Sequence, residues 1–104
     1  MIHMNQELFQ QALQGEKPVL VEFWAPWCVY CRRIEAATGR VADQFAGRLV
    51  MGQVNIDEEP LLAHREQIEV IPTFVLYRGG NAVSSVVAPE SRAALESFIR
   101  EGLL

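Results

Sequence analysis

The chain of 104 residues has only two cysteines. That excludes the stapled scaffold of a small secreted domain, which needs several bridges. No apolar run approaches the roughly 18 residues that cross a bilayer, so no membrane-spanning segment is expected. Basic residues are in deficit: nine Lys and Arg stand against thirteen Asp and Glu, for a formal charge of −4. A chain of that sign does not offer the phosphate-neutralising face that nucleic acid requires, nor does it suit an anionic membrane. Histidine is scarce, and His3 and His64 are isolated, which points to surface positions. There is no internal repeat, low-complexity tract or linker. The segment Met1–Glu7 lacks the basic and apolar regions of a secretory signal, so the expected compartment is cytoplasmic.

Against those absences, half of the residues are hydrophobic and 21% are charged, the balance of a globular protein. A chain of this length forms one domain, residues 1–104, with a core that needs no metal or staple. Asn5 is placed to cap a first helix, with Leu8, Phe9, Ala12 and Leu13 at helical spacing and Gly15 as its end. Pro18 to Trp24 reads as a strand whose near-continuous hydrophobicity suits burial on both faces. A helix is predicted from Cys28 to about Phe45, stopped by Gly47, and a strand from Leu49 to Ile56. Asp57-Glu58-Glu59-Pro60 reads as the opening of a short helix, with Leu61, Leu62 and Ile68 buried. Thr73–Tyr77 and Ala82–Val87 form a hairpin about Gly79-Gly80, and Ser91 caps a last helix that points Leu95, Phe98 and Ile99 inward. The predicted order is α-β-α-β-α-β-β-α. It implies an α/β fold, a mixed sheet flanked by helices on both faces.

Both cysteines lie in one run, Trp27-Cys28-Val29-Tyr30-Cys31, at the start of a helix that follows a strand. A Cys-x-x-Cys near a β-α-β pattern is a redox signature. Side chains at i and i+3 sit about 5–6 Å apart at Cβ, and a disulfide wants about 3.5–4.5 Å, so a small tightening joins them. Unpaired N–H groups and partial positive charge at a helix start stabilise a thiolate, and Arg32 and Arg33 add charge nearby. A static staple is the alternative, but so short a loop gains little from closure. Glu22 interrupts an apolar strand between Val21 and Phe23. Burial there would raise its pKa and make it a proton acceptor for a thiol; a strand edge facing water is the alternative.

The element order, the segment Val21-Glu22-Phe23-Trp24-Ala25-Pro26-Trp27-Cys28 and the segment Ile71-Pro72-Thr73 resemble the thioredoxin family over the whole chain. The resemblance implies the thioredoxin fold and a thiol–disulfide oxidoreductase, a protein-disulfide reductase without a cofactor or metal. It implies that Cys28 is the exposed nucleophile, Cys31 the buried resolving thiol and Pro72 a cis-proline against the disulfide. Glu22 falls where the family usually has a buried aspartate. Trp27, Val29, Tyr30, Ile71, Pro72 and Ala88, with Val70, would form an apolar rim for extended protein substrates. The implied partners are protein disulfides and a reductase or other thiol donor, and a monomer is expected. The chain departs from the family pattern at Val29-Tyr30 (usually Gly-Pro), Gln53 (usually lysine), Ala88 (usually glycine) and Ala36 (usually proline). A second function class follows from the same motif: a non-catalytic module that holds clients, or bridges a metal or iron–sulfur cluster, through the cysteine pair.

Overall fold

A computed structural model describes residues 1–104. The elements run β1 (Ile2–His3), α1 (Gln6–Gln14), β2 (Val19–Trp24), α2 (Val29–Arg33), α3 (Glu35–Gln44), β3 (Val50–Asn55), α4 (Pro60–Arg65), β4 (Thr73–Arg78), β5 (Asn81–Val87) and α5 (Arg92–Leu103). The strands form one five-stranded sheet in the order β1-β3-β2-β4-β5. β2 pairs parallel with β3 and antiparallel with β4, so the sheet is mixed.

Strand alternation divides the core in two. Val19, Val21 and Phe23 of β2, with Val75 and Tyr77 of β4, pack against Phe9 of α1 and Leu62 of α4. Leu20 of β2, with Phe74 and Leu76 of β4, packs against Val41 and Phe45 near α3 and Leu95 and Ile99 of α5. Helices therefore cover both faces of the central strands, the reason those strands read as unbroken hydrophobic runs. The caps fall where expected. Asn5 Oδ1 accepts the Leu8 N–H at 2.8 Å, and Ser91 Oγ accepts the Ala94 N–H at 3.0 Å.

Three expectations are corrected. Ile2–His3 forms an additional strand that pairs parallel with Gly52–Gln53. Two residues give no periodicity to read, and the pairing rests on Gly52, whose missing Cβ makes room for the Met4 side chain. The single helix from Cys28 breaks at Ile34 (φ −93°, ψ 1°), although no proline is present. The Thr38 hydroxyl donates to the Ile34 carbonyl at 2.8 Å, the kind of back-bonding that bends a helix. Leu61 is 81% exposed, because the first turn of α4 turns Leu62 and Ala63 toward the sheet instead. The acidic run opens α4 as expected, with Glu59 at the N-cap and Pro60 in the first turn, and two of its carboxylates also bind elsewhere. Asp57 accepts the Trp27 indole N–H at 2.8 Å, and Glu59 accepts the Gln6 N–H at the start of α1 at 3.1 Å.

Candidate active site

The apolar stretch of β2 ends at Trp24, and Ala25 to Trp27 turn the chain into α2. Cys28 is the N-cap of α2, in extended backbone at φ −78° and ψ 110°. That geometry aims its Sγ back at the first turn. The Cys31 N–H, an orphan donor of the helix start, points to Cys28 Sγ at 3.2 Å. The two cysteines are joined in a disulfide with Cα atoms 5.3 Å apart. Ala25 shares their cluster, and Trp24, Ile56 and Ile71 pack against it. Cys28 is 8% exposed and Cys31 4%. The expected open nucleophile is thus nearly covered in the disulfide state, with Trp24, Ile56 and Ile71 packed against the pair.

Ile71 precedes Pro72 in a cis peptide bond. Its carbonyl oxygen lies 4.0 Å from Cys28 Sγ. Neither the N–H nor the C=O of Ile71 takes part in a backbone hydrogen bond. Next to it, the Pro72 carbonyl accepts the Ala88 N–H at 2.9 Å. Ala88 adopts a φ of 45°, a left-handed conformation that favours glycine.

Of the expected rim, Trp27, Val29 and Val70 are exposed, and Ile71 and Ala88 are half-buried. Trp27 stands 62% exposed, with its indole fixed by Asp57. Pro72 is buried. Tyr30 is half-buried and turned inward: its hydroxyl donates to the Pro89 carbonyl at 2.8 Å. The sequence signalled an aromatic there but not its distant anchor. No local pattern in the sequence links Asp57 to Trp27, 30 residues earlier.

Glu22 is 2% exposed, which excludes the strand-edge alternative. In register it stands between Gln53 of β3 and Phe74 of β4, on the sheet face covered by α3 and α5. The Gln53 side-chain amide donates to Glu22 Oε1 at 3.0 Å. Burial pushes its pKa from the ordinary 4.5 up to about 7; the Gln53 bond opposes this and the Glu35 charge adds to it. Glu35 lies one turn beyond Cys31.

A family model described as Thioredoxin matches residues 1–101. The chain belongs to the thioredoxin family. It is 37% identical over 95 residues to a thioredoxin of Alicyclobacillus acidocaldarius, covering 91% of this chain and 90% of that one. It is 36% identical over 94 residues to thioredoxin 1 of a Nostoc strain, covering 90% and 88%. Thioredoxin M4, chloroplastic, of Arabidopsis thaliana is 38% identical over 94 residues; the match spans 90% of this chain but 49% of that longer protein. With a cysteine pair in disulfide contact at the start of a helix, this thioredoxin-family chain is a thiol–disulfide oxidoreductase, a protein-disulfide reductase by family. No helix is long and apolar enough to cross a membrane.

Proposed function

We propose that Cys28 and Cys31 are the redox pair, that Glu22 is the proton acceptor for Cys31, and that the substrates are disulfides in extended protein segments. The observation that carries the reading is the Cys31 N–H aimed at Cys28 Sγ at 3.2 Å. In the reduced protein the same N–H stabilises a Cys28 thiolate at the helix start.

The Cys28 thiolate attacks one sulfur of the substrate disulfide. A mixed disulfide forms and one substrate thiolate leaves. Cys31 then gives its proton to Glu22 and attacks Cys28 Sγ. The second substrate thiolate leaves, and the Cys28–Cys31 disulfide is restored. Two electrons have passed from the dithiol to the substrate. A carboxyl with a pKa of about 7 suits this step, since near neutrality it can both take up and release a proton. The substrate chain lies along Val70-Ile71-Pro72, where the free N–H and C=O of Ile71 can pair with an extended backbone. Trp27, Val29, Tyr30 and Ala88 flank that line, with the exposed apolar surface on Trp27 and Val29.

The protein works as a monomeric single domain over residues 1–104, in the cytoplasm, with a reductase or other thiol donor regenerating the dithiol. Insulin reduction with dithiothreitol as the donor tests the activity. The wild type should accelerate it, and Cys31→Ser should instead accumulate a mixed disulfide through Cys28. No acceleration by the wild type would overturn the reading and favour a module that binds without turnover.

A further inference from the structure

Contacts from three segments close a ring around the disulfide. Cys28 Sγ lies against the Ile71 carbonyl at 4.0 Å. The following carbonyl, that of Pro72, accepts the Ala88 N–H at 2.9 Å. One residue further on, the Pro89 carbonyl accepts the Tyr30 hydroxyl at 2.8 Å. Tyr30 precedes Cys31, so the ring returns to the redox pair.

These contacts differ in strength. The Pro72–Ala88 bond ties the Ile71 edge to the corner between β5 and α5 as one unit. The Cys28–Ile71 contact is only van der Waals in the disulfide, because neither atom carries a hydrogen. The Tyr30–Pro89 bond is the one side-chain hydrogen bond that fastens α2 to that body. It is shielded, with Tyr30 half-buried and Pro89 buried. Its ends are 59 residues apart in sequence, so no local folding preference supplies it.

We propose that the Tyr30 hydroxyl is a positioning group that gives the site its preference for protein disulfides over small ones. A protein substrate must bring its sulfur to Cys28 while its backbone reaches Ile71 and its side chains meet Ala88. Those two demands fall on different bodies, α2 and the Ile71–Ala88 unit, and the hydroxyl fixes the distance between them. A small disulfide makes only the sulfur contact and does not sense that distance. The left-handed Ala88 fits this role: the corner keeps a strained residue beside the site where a mobile loop would relax it.

The inference rests on the redox reading of Cys28 and Cys31, and its test separates the two. Tyr30→Phe removes one oxygen and leaves the ring. For wild type and variant, kcat and KM are measured with insulin and with oxidised glutathione. The ratio of kcat/KM for insulin to that for glutathione should fall about fivefold, the worth of one neutral hydrogen bond, with the loss in the KM for insulin. An unchanged ratio, an equal fall with both substrates, or a loss confined to kcat would overturn the positioning role. A wild type inert toward both disulfides would overturn the redox reading itself.

Discussion

Replacing Glu22 by glutamine should make the protein more stable at alkaline pH and change it much less at mildly acid pH. Folding lifts the carboxyl pKa from 4.5 to about 7, chiefly because the side chain is buried. In that interval the folded state holds a proton that the unfolded chain has released, so stability falls as pH rises from about 4.5 through 7. At about 1.4 kcal/mol per pH unit, the penalty is about 3 kcal/mol once the buried group is ionised. Glutamine has the same shape, stays neutral and still accepts from the Gln53 amide, so it avoids that penalty. Urea unfolding of the oxidised proteins at pH 5 and pH 8 reads the difference. Glu22→Gln should exceed the wild type by less than about 1 kcal/mol at pH 5 and by about 3 kcal/mol at pH 8. It should also slow release of the second substrate thiol, because Cys31 has lost its proton acceptor. A stability difference that does not change with pH would refute the argument, whatever its size.

Three further substitutions test how the frame is built. Ala88→Gly relieves a φ of 45° and should stabilise the protein by about 0.5–1 kcal/mol in denaturant unfolding; a loss of stability would show that the methyl packs well enough to outweigh the strain. Gly102→Ala puts a Cβ into Leu76 Cδ2, a fully buried side chain, and should cost about 1–3 kcal/mol in the same assay. Tyr77→Phe removes a buried hydroxyl that donates to Glu66 Oε1 at 2.7 Å and should cost about 1.5 kcal/mol; a neutral result would mean that water serves Glu66 equally well.

What could be read from the chain was whatever repeats locally. β2 announced itself as a nearly continuous apolar run because both of its faces are covered. The Cys-x-x-Cys at a strand-to-helix turn located the site, and Glu22 betrayed itself as the one charged residue in that run. What could not be read depends on partners distant in sequence. β1 is two residues long, and beside it Gly52 leaves the space that Met4 fills. The break at Ile34 has no proline to announce it; a hydroxyl one turn on bonds the Ile34 carbonyl, from a residue type usually neutral in a helix. Asp57 looked like a helix-start acid, but its carboxylate is taken by Trp27, 30 residues earlier. Tyr30 looked like part of an open rim, but its hydroxyl is held at Pro89.

Catalysis by the cysteine pair requires a Cys28 thiolate at neutral pH. Its most direct test is the alkylation rate of that residue in the reduced protein, followed by mass spectrometry against free cysteine, whose pKa is about 8.5. Cys28 should react with iodoacetamide at pH 6 to 7 at least about tenfold faster than free cysteine, with Cys31 spared. A Cys28 rate equal to that of free cysteine, rising only as pH nears 8.5, would contradict it.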